Sequence, residues 1–473
     1  MTPHGLASIY PDWGKVGKTY WIAVKETTGF QSLLWLRLRA LAPPMFQELL
    51  MIHIMSVNAL PDTTHGPSIG LPAAMGALVL PAPPCQPEAP DTPESMIVAF
   101  FESRFAYSTL DPTPFVATAN AHIARMYAQG KRVGEAFLHA LPVFLSVVNT
   151  QQRHGGPFGA IVVHYAGGLD AHGYGIGPPR VLGVGANHVG PHSDPSAHAE
   201  MEAYRHAAHR QGASDLSGAV LYTSCESCPM CLAVANGSGL SRISYLNTRD
   251  DAEASGFLDK RQYALCALPR ATLMTSAHRL QASVRRDLRG KLGAHGAVVV
   301  DAHGDVVAAG DVDTRSDPTG LASLQAVRRA VQHQAQQHQA AGHTAPVWCL
   351  PDGWTLVCRE IPHPAGLMMA DWARLLRPRD PAHADNPACD SPIPDPTRVI
   401  HMTEHYEPLP VRDRAGQWHI RQATETTYEQ LTVPESARRV RTACFPGRRV
   451  SQAARAVFEA WQHEAAGGAR SHL

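Results

Sequence analysis

His198-Ala199-Glu200 and, after 27 intervening residues, Cys228-Pro229-Met230-Cys231 supply one imidazole, two thiols and a carboxylate. An imidazole and two thiolates fill three positions of a tetrahedral zinc ion and leave the fourth open to water, while a carboxylate that stays off the metal can carry protons. That set suits hydrolytic displacement of an amine from a purine or pyrimidine ring. Alone, each half says little: Cys-x-x-Cys is more often a structural zinc half-site or a redox pair, and His-x-Glu recurs by chance. In this order, and with an apolar strand at Ala219 to Thr223 leading into the cysteines, they carry the assignment together. Cys225, with Cys228 and Cys231, forms a lesser alternative, a closed structural site.

The elements that must hold these residues follow from their spacing. Cys228 and Cys231, three apart, share one face of a helix that begins there, where the positive end of the helix dipole favours thiolates. Asp194-Pro195-Ser196 reads as a second helix start, with Asp194 or Ser196 as its cap and Gly212 as its end. His198 and Glu200 diverge by about 200° on such a helix, so the metal must sit at the helix end.

The stretch from about Gly155 to Asp259 resembles the cytidine-deaminase-like superfamily, and within it the bacterial guanine deaminases. The resemblance rests on Gly156-Pro157-Phe158-Gly159-Ala160, Asn187, the His198 and Cys228 blocks, Leu221 to Glu226, and Asp251-Ala252-Glu253-Ala254-Ser255-Gly256-Phe257-Leu258-Asp259. It implies His198, Cys228 and Cys231 as Zn²⁺ ligands and Glu200 as the proton shuttle. It further implies that Asn187 and Asp259 hydrogen-bond a purine, with Phe158 beside the ring; read without it, the three are a turn residue, a solvated charge and a core side chain. The implied activity is hydrolysis of guanine to xanthine and ammonia, the partner a small nucleobase. A tRNA adenosine deaminase, a deaminase of another small amine-bearing ring, and a non-catalytic zinc-stapled module are the alternatives. Two positions depart from the family pattern: Ser227 replaces a proline, and Ala235-Asn236-Gly237-Ser238-Gly239 replaces a bulky aromatic segment that lines the pocket.

At 473 residues the chain is too long for one such domain, which needs about 150. Comparing the chain with itself, Gly296 to Val300 echoes Gly159 to Val163, and Asp317-Pro318-Thr319 opens a helix like that after Asp194-Pro195. In that register Leu321 faces His198 and Ser323 faces Glu200, and Ile361-Pro362-His363-Pro364-Ala365-Gly366 stands where cysteines are due. The expected architecture is therefore α/β, two tandem three-layer α/β/α copies with a mixed five-stranded sheet each. Residues 1–93 form an N-terminal extension ending in a proline-rich linker, 94–283 the catalytic unit, and 284–473 a degenerate unit with a C-terminal hairpin near Arg414-Ala415-Gly416 and a closing helix from Ser451 to Ala465. A dead copy suits an intramolecular pseudo-dimer, as eukaryotic tRNA wobble adenosine deaminase pairs an active with an inactive subunit; a homodimer is a further assembly open to it.

The 41 basic and 41 acidic residues balance, which argues against wholesale electrostatic capture of nucleic acid and leaves a tRNA substrate open. Nine cysteines, two of them in a metal motif, point to a reducing, cytoplasmic setting, and no apolar run is long enough to span a membrane. Met45, Met51 and Met55 are each possible starts, so part of the first fifty residues is expected not to be native protein. His333 and His338, five apart, are not expected to hold a metal.

Overall fold

Strands whose side chains are apolar on both faces must be covered on both faces. Gly159–Tyr165 (β1) and Ala219–Cys225 (β3) are of this kind, and nearly every residue in them is buried. The computed structural model describes residues 108–257, 261–376, 394–434 and 437–466. The expectations for residues 1–93, for Asp259 and for most of the proline-rich stretch 377–397 lie outside them.

Helices α1 (Thr113–Ala128) and α2 (Glu135–Gln151) lead into the first sheet, in which β1 pairs antiparallel with β2 (Pro179–Ala186) and with β3. Helix α3 (Ala199–Gln211) follows β2, α4 (Pro229–Gly237) follows β3, and β4 (Arg242–Asn247) runs parallel to β3. After β5 (Thr275–Ser276) a second sheet begins. There β6 (Ala297–Val300) pairs antiparallel with β7 (Val306–Gly310) and β8 (Thr355–Cys358), and β8 runs parallel to β9 (Val399–His401). Helices α5 (Ala322–Ala340) and α6 (Pro364–Trp372) take the places of α3 and α4. A small hairpin, β10 (Val411–Arg412) with β11 (Trp418–His419), turns through Gly416 at φ +83°, a left-handed conformation that glycine adopts freely. Then come β12 (Arg441–Cys444) and α7 (Arg448–Ala466).

Both sheets have five strands in the same order and sense, but they exchange their fifth. The late strand β12 lies parallel to β4 and closes the first sheet, whereas the early strand β5 lies parallel to β9 and closes the second. Neither sheet is a contiguous piece of chain. Everything after residue 284 was expected in the second unit, yet β12 and α7 sit on the first. The reason is apolar burial: Val450, Ala453, Val457 and Ala460 of α7 share one core cluster with Phe137, Leu141, Ile161 and Val163.

The halves repeat in detail. A Cβ on Gly185 would meet Ala199 O at 2.2 Å and Ala203 N at 2.5 Å, and one on Gly310 would meet Ala322 O at 2.1 Å and Ala326 N at 2.5 Å, so each helix lies directly on its strand. Ser196 donates through N and Oγ to Asp194 Oδ1 (2.8 and 2.6 Å), and Thr319 does the same to Asp317 Oδ1 (2.8 and 2.6 Å). Arg205 reaches across to Thr319 Oγ1 at 2.8 Å and Arg328 reaches back to Asp194 at 2.9 Å, the reciprocity of a two-fold contact.

Two local expectations change. Asp194 and Ser196 form a turn before α3 and do not cap it; their polar atoms are taken by each other, by Arg205 and by Arg328, and the cap position is His198. Pro142, which the sequence marks as a boundary or kink in a helix from Gly134 to Gln152, lies inside α2 without ending it, because the surrounding helix is buried from Phe137 to Gln151 and packing outweighs the roughly 3 kcal/mol penalty of an interior proline.

Candidate zinc site

His198 and Cys228 are both N-cap residues, with extended backbone at φ −70° and φ −69°, of α3 and α4. Two helix starts thus converge on one point. Pro229, at the first helical position of α4, has no N–H to leave unpaired there, and one turn later Cys231 faces the same way. Cys228 Sγ lies 3.6 Å from His198 Nδ1 and 3.5 Å from Cys231 Sγ, and Cys231 Sγ lies 3.8 Å from His198 Nδ1. A tetrahedral ion with Zn–S near 2.3 Å and Zn–N near 2.05 Å demands edges of about 3.6 to 3.8 Å, so the three ligand atoms fit zinc. Burial resists a charge on Cys228, but a hydrogen bond from Cys231 and the His198 imidazole hold it well below the ordinary thiol range.

Glu200, second residue of α3, is 4 % exposed and is not among the ligands. Burial, then the neighbouring Cys228 sulfur, raises its pKa, while Arg249 and His198 pull it back. A carboxyl poised to take and return a proton needs that balance. Arg249, a residue the motifs do not flag, is buried beside the site; burial opposes its charge, and Cys225, Cys228 and Glu200 more than offset this. Cys225 stands apart: its thiol donates to the Thr248 carbonyl at 3.5 Å, and burial pushes its pKa up to about 12. The closed Cys225-Cys228-Cys231 alternative does not form.

Residues 143–247 match the profile of the cytidine and deoxycytidylate deaminase zinc-binding region. These residues thus carry a zinc-binding region of the deaminase type. Guanine deaminase of Bacillus subtilis (strain 168) is 37% identical over 109 residues, which are 23% of this chain and 62% of that protein. The match thus spans less than two thirds of that relative. Among solved structures, guanine deaminase from Bacillus subtilis is 34% identical over 27% of this chain and 73% of its own, with a TM-score of 0.24. A tRNA:A34 deaminase acting at the wobble position of transfer RNA is 29% identical over 23% and 72%, with a TM-score of 0.19. At such scores the superpositions carry no structural argument; the strand order above stands on its own.

Around the deaminase centre, Phe158 is 8 % exposed and packs edge-on against Phe257 at 4.7 Å and Phe458 at 5.1 Å, with Trp461 stacked on Phe257 at 5.9 Å. Asn187, also 8 % exposed, accepts weakly through Oδ1 from Gly156 N and Val189 N, both at 3.4 Å, and its carbonyl is held by Asn149 Nδ2 at 2.8 Å. The described residues offer no partner to its Nδ2. Trp372, at the end of α6, lies edge-on to the His198 ring at 5.1 Å, and its Nε1 is buried without a hydrogen-bond partner. Trp372 thus brings an aromatic ring from the second half against His198, and Phe458 and Trp461 of α7 pack on Phe158 and Phe257. Gly237 has a packing reason of its own, since a Cβ there would lie 2.2 Å from Leu409 Cδ2.

The matching place in the second half holds different chemistry. Leu321 and His363 are the N-caps of α5 and α6, as His198 and Cys228 are of α3 and α4, so Ser323 matches Glu200 and Gly366 matches Cys231. Between the two helix starts lies the carboxylate of Glu407, 4 % exposed. It accepts from Ser323 N at 3.1 Å, Ser323 Oγ at 2.5 Å and His363 N at 3.0 Å. A Cβ on Gly366 would sit 1.9 Å from Ser323 Oγ, so a cysteine is sterically barred where the hydroxyl stands. No sequence motif flags Glu407, which follows Ser323 by 84 residues.

Proposed function

We propose that the chain is a zinc-dependent aminohydrolase of a free purine base, converting guanine to xanthine and ammonia. The observation that carries the hydrolytic reading is a zinc-sized His198-Cys228-Cys231 triangle with a buried, uncoordinated carboxylate at the second position of the helix that His198 caps. Zinc, when bound, supplies Lewis-acid activation of a water as nucleophile at neutral pH. Glu200 takes one proton as the water oxygen bonds to the amino-bearing carbon and passes it to the adjacent ring nitrogen, then takes the second proton from the hydroxyl now on that carbon and delivers it to the departing amine. Water and guanine leave as xanthine and ammonia, and Glu200 ends as it began. Asn187 and Asp259 are proposed to read the purine edge and Phe158 to flank its ring; Asp259 lies outside the described residues.

The guanine assignment is supported by the identity to a protein named guanine deaminase and by the enclosure of the site. The ligands and Glu200 are at most 9 % exposed, and Trp372 lies against the His198 ring, which favours a small base over a nucleotide in a tRNA loop. We also infer that the second half derives from a deaminase copy that has lost its site and now serves as partner to the first.

Ammonia release from nucleobases, nucleosides and tRNA tests the substrate. Guanine is expected to lead. Asn187→Ala should lower guanine turnover sharply with zinc content unchanged, because a buried substrate group left unpaired is heavily penalised. Preference for a pyrimidine or for tRNA would end the guanine reading and leave the deaminase reading intact.

A further inference from the structure

A cavity of about 420 Å³ lies away from Glu200, where β2 and α3 meet the residues before α1 and the Ser316-Asp317 turn of the second half. His188, His192, Glu202, His206 and Asp317 are among its lining residues. His188 is 3 % exposed, yet among the described residues neither of its ring nitrogens has a hydrogen-bond partner. Buried polar groups are almost always paired, so a fully buried imidazole with two idle nitrogens in a cavity wall calls for a ligand.

His192 is four residues further on, across the helical turn Val189–His192, and the two rings stand 5.0 Å apart, centre to centre. One ligand atom each from His188, His192 and Glu202 lie within 4.8 Å of one another. Around a divalent ion with bonds near 2.1 Å, ligand atoms span about 3 to 4 Å, so a small side-chain rotation closes the set. His192 is exposed and free to make it. Glu202 already meets Arg205 at 2.5 Å through Oε1, and Arg205 is also faced by Asp194 and Asp317, so the Glu202 charge is not its sole counterion. Two imidazoles and a carboxylate match ions of borderline softness.

We propose that His188, His192 and Glu202 form a second divalent-metal site, separate from the deaminase centre, for an ion of the class of Zn²⁺, Co²⁺ and Ni²⁺. Burial and the neighbouring His192 and His154 lower the His188 pKa to about 3, which keeps its ring in the neutral form that a metal needs. With no thiolate, this site binds more weakly than the first and exchanges its ion more readily.

The test is a titration of the full chain, carrying its tightly held zinc, with ZnCl₂, read by calorimetry and by metal analysis after gel filtration. The expected result is one further saturable equivalent in the native chain, lost in His192→Ala and in His188→Ala and weakened in Glu202→Gln, with the tight zinc retained in all. His192 is exposed, so its variant will fold even if that of His188 does not. A native chain that takes up no second equivalent overturns the proposal. So does a second equivalent that survives in His192→Ala, which would mark it as adventitious binding to other histidines.

Discussion

Two pairs of helix starts, built alike, close on different groups. At α3 and α4 the convergent N-termini face a cation site, with His198, Cys228 and Cys231 as ligands and the buried Arg249 balancing the surrounding sulfurs and Glu200. At α5 and α6 the same backbone frame encloses an anion, the Glu407 carboxylate, bound by Ser323 and His363. Free N–H groups and the helix dipole attract negative charge by default. The zinc site meets that demand with thiolates. At α5 and α6, where no thiol stands at the helix starts, a carboxylate from a distant loop satisfies it. The walls show a matching asymmetry: Trp372 at the end of α6 packs on the surviving centre, whereas Gly237, at the equivalent end of α4, yields its space to Leu409.

The largest effect should come from Glu200→Gln, which is expected to keep one tight zinc and lower turnover by about 10² to 10⁴, the usual worth of general acid–base catalysis. A fully active variant would break the comparison at its root. The mirror substitution Ser323→Glu should gain neither metal nor activity, because it sets a second buried carboxylate against Glu407.

Next in size is Glu407→Ala. It strands the Ser323 and His363 N–H groups in the interior, at about 1–3 kcal/mol each, and should lower the urea midpoint clearly while the tight zinc remains. An unchanged midpoint would show that Glu407 is not what holds the two helix starts together.

The smallest effect is that of Trp372→Ala. An aromatic edge contact is worth about 0.5–1.5 kcal/mol, so kcat/KM should fall by roughly 2- to 12-fold with zinc content unchanged. A fall as large as that of Glu200→Gln would give Trp372 a larger share in substrate binding than the ring contact explains.

His198, Cys228, Cys231 and Glu200 were legible as a candidate set because each motif is local: cap, first turn and preceding strand lie within a few residues, and helix geometry does the rest. The recurrence of a strand and a following helix in both halves was legible for a similar reason, since an apolar run and an Asp-Pro turn recur in register. Pro142 and Asp194 misled where local propensity met packing, one tolerated in a buried helix, the other diverted to two arginines.

What the chain alone determined is thus the chemistry: an imidazole, two thiolates and a proton-carrying carboxylate in a deaminase frame, and a second frame without them. Tertiary structure decided which residues enclose that chemistry. Trp372 reaches His198 and Phe458 reaches Phe158 from more than a hundred residues away, β5 and β12 trade sheets, and Glu407 meets the helix starts of α5 and α6. None of these has a period or a spacing to announce it. They follow from shape and burial in the assembled core, where apolar area and unpaired N–H groups are satisfied by whichever segment the fold brings near.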